Sequence, residues 1–137
     1  MDRACDTTLV LVSRAPLASI ERFQRRMGWQ VPWYSSHGSD FNYDFHVSFD
    51  EDAAPLEYNY KDKAALERDM RFIRSGRDAP GVSVFLRDGD RVYHTYSAYA
   101  RGLDPLVGTY HWLDLTPLGR QRYVTEFPYH DSYGAGS

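Results

Sequence analysis

The sequence predicts an α/β fold with strands running in mixed directions. Three observations carry this. "TTLVLVS" (Thr7–Ser13) is β-branched, is continuously apolar over Leu9–Val12, and leads at once into a helical pattern. "VSVFLRDGDRVYHTYS" places two β-rich runs on either side of Asp88–Gly89, the signature of a hairpin. Along the chain the order is strand, helix, strand, short helix, helix, hairpin, helix, an alternation that belongs to α/β architectures.

Each element has its own local cause. A run such as Leu9–Val12 suits a strand buried on both faces of a parallel sheet. "RAP" then opens a helix, with Pro16 at the first helical position, where a missing N–H is harmless. Leu17, Ile20, Phe23 and Met27 share a stripe, Glu21 and Arg25 form an i,i+4 pair, and Gly28 offers a C-terminal cap. "WQVPWYSS" reads as a short strand at an edge or starting at Pro32, which cannot donate to a ladder. "DEDAAP" is an acidic loop and "LEYNY" a short extended piece. "DKAALERDMRFIRSG" is a helix with Leu66, Met70 and Ile73 on one face, Glu67 paired with Arg71, and Gly76 at its end. "RDAPG" breaks the chain before the hairpin. "LDPLVGTYHWLDL" then predicts a helix with Asp104 as N-cap and Pro105 in its first turn. Its apolar positions are Leu106, Tyr110 and Leu113, and Gly108 inside it weakens the helix or marks close packing. From about residue 120 the tail is irregular, and "SYGAGS" is expected to fray.

The 137 residues suit a single domain, 1–137, and a chain of this size buries roughly 70% of its unfolded surface. Aromatic residues make up 15%, with 11 Tyr among them, which suits a polar-rimmed core or an interface. The net charge of −3 and the absence of a basic stripe argue against nucleic acid as a partner. No apolar run approaches the roughly 20 residues of a membrane span. The N-terminus, "MDRACDTTLVLVS", runs straight into a strand without a cleavable leader, so a cytoplasmic protein is expected. One cysteine, Cys5, cannot form an intramolecular disulfide. Cys5 reads as an ordinary reduced thiol. The alternative, a nucleophilic or intermolecular thiol, needs a base or a positive dipole end nearby.

"WYSSHGSDFNYDFHVSF" (Trp33–Phe49) invites two readings. His37, Asp40, Asp44 and His46 are residue types that ligate Zn or Fe, and a metal-dependent enzyme is one alternative. Their spacing is poor for a single ion, and His94, His111 and His130 are scattered, so no metal is expected. The structural reading explains more residues. "SSHGSD" is turn chemistry; Ser39 N-caps a short helix over Asp40–Phe45, and Phe41 and Phe45 pack inward. Ser36 and His37 follow a strand end, where open α/β sheets place their binding crevice. His94 is expected to be a hydrogen-bonded strand residue. No GxSxG, HExxH or phosphate-binding glycine loop occurs, and no motif calls for a cofactor.

"LVSRAPLASIERFQRRMGW", "PWYSSHGSDFNYDFHVSF", "EYNY", "GVSVFLRDGDRVYHTYSAYARGLD", "GTYHWLDLTPLGR" and the closing "YHDSY" together resemble the DUF899 family of thioredoxin-like proteins. The resemblance covers nearly the whole chain. It implies a thioredoxin-like mixed sheet flanked by helices and a link to thiol-disulfide chemistry, since members are described as predicted dithiol-disulfide oxidoreductases. It also implies a cis bond at Pro80, the proline before the hairpin; the residues alone suit a trans turn proline equally. Ser36, His37, Ala79 and Pro80 form the candidate pocket.

The family pattern opens with a strand and a cysteine motif at a helix start, where the dipole favours thiolate. This chain starts at "MDRACDTT", and by the resemblance the first, central strand and its cysteine-bearing helix are expected to be missing from it. Cys5 does not match the motif, so the chain is expected to be redox-inactive alone. Loss of a central strand implies three outcomes: Thr7–Ser13 and Val82–Leu86 close on each other, a second copy covers them in a homodimer, or the protein is of low stability. The partners to consider are therefore a homodimer and a thiol-disulfide partner protein. A non-catalytic dimerising or small-ligand-binding domain is the other alternative.

Overall fold

The order of the elements follows the sequence pattern closely. The computed structural model of the chain describes residues 6–69 and 77–133. Cys5, the helix positions Met70, Arg71, Ile73 and Gly76, and the glycine-rich end of the tail lie outside them. Strands β1 (Leu11–Ser13) and β2 (Trp33–Ser35) are parallel and joined by helix α1 (Leu17–Met27). A four-residue helix α2 (Phe41–Asp44) is followed by β3 (Ser48–Phe49), β4 (Glu57–Tyr58), β5 (Lys61–Asp62) and α3 (Lys63–Asp69). Then come β6 (Arg77–Asp78), the long hairpin β7 (Gly81–Asp88) and β8 (Arg91–Tyr99), a 3₁₀ segment over Ala100–Leu106, and α4 (Gly108–Leu113). Single 3₁₀ turns at Val124–Glu126 and His130–Ser132 punctuate the otherwise irregular tail.

The protein is thus mixed α/β. Among the described residues its strands form four two-stranded sheets, β1–β2, β3–β6, β4–β5 and β7–β8, rather than the one mixed sheet the pattern predicts. The chain divides into two units, Met1–Asp44 with Pro128–Ser137, and Phe45–Phe127.

In the first unit, α1 buries Ile20 and Met27, two of its predicted stripe, while Leu17 stays exposed at the first turn. Its C-terminus is a Schellman motif. Gly28 sits at φ 65°, its N–H reaches Arg25 O, and Trp29 N–H reaches Gln24 O. The apolar contact that accompanies such a motif is Trp29 edge-on to Phe23, with ring centroids 5.6 Å apart. Pro16 stands one position earlier than expected, as the N-cap. The first strand is shorter than Thr7–Ser13 and is not buried on both faces: Leu11 and Ser13 are half-buried, Val12 between them is exposed, and so are Leu9 and Val10. A strand with one pairing neighbour and one covering helix has one protected face.

The core of the second unit is Phe49, Tyr58, Leu66 and Tyr99, with Val47, Leu56 and Ala79 packed against it. Two of these, Phe49 and Tyr58, come from two-residue strands too short to read by period alone. "LEYNY" is half of a tight hairpin: Asn59 and Tyr60 both adopt positive φ (52° and 60°), as a type I′ turn demands, and Asp62 then caps α3 by accepting Ala65 N–H at 2.9 Å. The two-residue loop of the long hairpin is Gly89–Asp90, one position beyond the expected one. Register shifts between Val84 and Phe85, which leaves Thr95 as an extra residue in β8, its hydroxyl donating to Val84 O.

Two local expectations are corrected. The Ala79–Pro80 bond is trans, as are all peptide bonds among the described residues. The helix expected from Asp104 is split. Pro105 falls inside a 3₁₀ segment, Val107 leaves helical space (φ −98°, ψ 83°), and α4 starts only at Gly108. Asp104 makes no N-cap there because its carboxylate is held by two arginines.

Candidate functional site

Parallel pairing sets Leu11 beside Trp33, Val12 beside Tyr34 and Ser13 beside Ser35. The residues that follow both strands therefore emerge at the same end of the sheet. A cleft of about 520 Å³ opens there, lined by Arg14, Pro16, His37, Gly38, Ser39, Asp40 and Tyr43. This is where an open α/β sheet places its ligands, outside the carboxyl ends of parallel strands.

Backbone and side-chain hydrogen bonds fix its walls. Ser36 N–H donates to Ser13 O at 2.9 Å and extends the ladder one step. The Ser35 hydroxyl donates to Ala15 O at 2.7 Å and accepts His37 N–H at 3.2 Å, tying the strand end to the turn before α1. Gly38, at φ 77°, turns the chain back. The Ser39 hydroxyl donates to Ser36 O at 2.9 Å, so Ser39 closes the turn behind it and does not cap α2. Asp40 takes the cap position, its carbonyl accepting Tyr43 and Asp44 N–H. Across the cleft Arg14 donates to the Tyr43 hydroxyl at 3.4 Å.

Of the four residues of the candidate pocket, His37 is exposed and lines the cleft. Ser36 is buried behind it, its hydroxyl 2.6 Å from Asn42 Oδ1. Asn42, not Phe41, is thus the inward residue of α2: a buried hydroxyl needs a polar partner, and Asn42 supplies it. Ala79 and Pro80 belong to the second unit, where Ala79 packs on the core and Pro80 O accepts the Tyr58 hydroxyl at 2.9 Å. Phe45 is half-buried and stands edge-on to Phe85 and His94 on the exposed hairpin, outside the core cluster, so the core packing expected of it is not what forms. His94 is a hydrogen-bonded strand residue, its Nε2 2.7 Å from Ser97 Oγ. No three His, Cys, Asp or Glu side chains among the described residues converge as a metal-ligand set, so His37, Asp40, Asp44 and His46 do not assemble one.

Arg14 and Tyr43 escaped the sequence reading. The signal was present for Arg14: it follows β1 as His37 follows β2, and parallel strands in register deliver both to one crevice. Tyr43 could not be placed without the geometry of the turn.

The first unit holds a second, more open groove of about 640 Å³ along Glu21, Gln24, Arg25, Gly28–Pro32 and Trp33. Beside it Phe23, Trp29, Trp33 and Tyr129 form an aromatic cluster, and Arg26 lies over Tyr129 while making a two-point ion pair with Asp131 (2.6 and 3.1 Å). Hydrogen bonding to Arg26 holds the Asp131 carboxyl below the usual carboxylate range. In the second unit Arg120 bridges Asp104 and Asp114, each at 2.6 Å, with its guanidinium 4.3 Å from the Tyr110 ring. Both carboxyls are pulled down in consequence, chiefly by the hydrogen bonds from Arg120.

Among the described residues no helix is long and apolar enough to cross a membrane. No curated protein and no solved structure matches the chain. A family model described as "Bacterial protein of unknown function (DUF899)" matches residues 3–133. The motifs that tie strand ends, turn and hairpin together here are therefore those of a known family, and the chain belongs to DUF899.

Proposed function

We propose that this chain is a small-ligand-binding α/β domain of thioredoxin-like ancestry that does not carry out thiol-disulfide exchange alone. The supporting observation is the cleft at the ends of β1 and β2. A guanidinium (Arg14), an imidazole (His37), a phenol (Tyr43) and a carboxylate (Asp40) surround it, an array of donors and acceptors suited to a small polar ligand. With one cysteine in 137 residues the chain holds no dithiol of its own. The parallel β1–α1–β2 unit and the β7–β8 hairpin are the two kinds of half that a thioredoxin-like fold combines, which supports that ancestry.

Two measurements test the reading. Insulin-reduction assays on the protein and on Cys5→Ser should give the same background rate; activity abolished by the substitution would refute redox silence. Titration with inorganic phosphate and with acetate, followed by amide chemical shifts, should perturb Arg14–Ala15 and His37–Tyr43 in particular, and Arg14→Ala should remove the response. Shifts spread evenly over the chain, or unchanged in Arg14→Ala, would sink the site.

A further inference from the structure

We infer that the ligand of the cleft is a zwitterion, a small molecule that carries both a carboxylate and an ammonium group; this rests on the cleft being a small-ligand site. The polarity of its walls selects that class. Arg14 donates from its guanidinium to the Tyr43 hydroxyl at 3.4 Å. A hydroxyl that accepts from a cation keeps its own proton to donate. Arg14 and Tyr43 thus make one end of the cleft a place for a carboxylate, met by a positive charge and by an O–H donor.

Asp40 makes the other end. Its backbone opens α2, the carbonyl accepting Tyr43 and Asp44 N–H at 2.9 Å each. A carboxylate at a helix start ordinarily accepts one of the first N–H groups through its side chain. Among the described residues the Asp40 carboxylate accepts no hydrogen bond, and it lines the cleft with its charge unmatched. Asp40 and Tyr43 are three residues apart across the first turn of α2, so their side chains leave the same side of it. An anion held by Arg14 and Tyr43 would stand beside that carboxylate. A cation held by Asp40 would stand beside the guanidinium. A ligand with both charges meets each end with its opposite. His37, exposed on the cleft wall, bonds through its ring to no described residue and adds a further polar contact.

Amide chemical shifts followed in titrations at neutral pH give the test, with acetate, glycine, β-alanine, 4-aminobutyrate and glycerol as probes. The three amino acids differ in the span between their charges. The best of them should perturb His37–Tyr43 and bind about tenfold tighter than acetate, the worth of one charge-assisted hydrogen bond. Asp40→Asn should remove that preference and leave acetate binding at least as tightly as before. Tyr43→Phe should weaken acetate and the amino acid alike, since it touches the carboxylate end. Asp44→Asn, outside the cleft lining, should change neither. If acetate binds and no amino acid binds more tightly, or glycerol binds as well as the amino acids, or the preference survives Asp40→Asn, the zwitterion is overturned while the small-ligand cleft stands. If no probe perturbs His37–Tyr43, both fall.

Discussion

Tyr58 does three things at once. Its ring fills the second unit's core between Phe49 and Tyr99, with centroids 5.5 Å from each, while its hydroxyl donates to Pro80 O and accepts Ala100 N–H at 3.0 Å. Burial pushes the phenol's pKa up. Tyr58→Phe keeps the ring and orphans two backbone groups, so a loss of about 1–3 kcal/mol is expected in urea denaturation. An unchanged midpoint would mean that water replaces the hydroxyl. The next residue in this relay, Ala100, sits at φ 47°, a conformation costly for any side chain. Ala100→Gly should therefore stabilise by about 1 kcal/mol, and a destabilisation would show that the strain is absent. The two glycines with the clearest roles differ in kind. At Gly28 there is open space and a φ of 65°, so Gly28→Ala should cost about 1 kcal/mol through the backbone alone. At Gly81 a Cβ would stand 2.9 Å from Val47 Cγ1 and 3.1 Å from the Tyr99 ring, so the penalty there is packing.

At the scale of elements, what was legible was local. The Schellman end of α1, the long hairpin and the strand ends flanking the cleft are written in residues close together in sequence. The 3₁₀ segment at Ala100–Leu106 was not, because Asp104 has two possible uses, and only the fold brings Arg120 to it. That arginine clasps α4 and the tail, and its effect depends on pH. Asp104 and Asp114 both have depressed carboxyl pKa values, so their contribution is fully present above the unfolded carboxylate range near pH 4 and is lost as pH falls through the folded values. Arg120→Gln should thus be less stable than wild type at neutral pH, with the gap closing in acid. Urea midpoints of both proteins across a pH series would show this; a gap independent of pH would assign the role of Arg120 to its stacking on Tyr110 instead.

For the whole molecule, the α/β class was readable from alternating elements, but the sheet count was not. Which strands pair is decided by contacts distant in sequence, and several strands have only two or three residues. The cleft was half-readable for the same reason: His37 follows from the position of one strand, Arg14 and Tyr43 from how two strands and a turn are combined. Each unit has its own apolar centre. Ile20→Ala is expected to cost about 2–5 kcal/mol and Phe49→Ala about 3–5 kcal/mol. Hydrogen exchange should locate the first loss in α1 amides and the second in β3 and β6. Loss of protection in neither region would mean that the cavities collapse.

The aromatic cluster beside α1 has a further use. Of the three tryptophans, Trp29 and Trp33 stack at 6.0 Å in the first unit, while Trp112 is 75% exposed in the second. Trp112 is already in water in the folded chain, so its emission should barely change on unfolding. Intrinsic fluorescence is therefore an optical signal for one unit, and circular dichroism reports on both. A mismatch between the two melting curves would give the stability of each unit without any label.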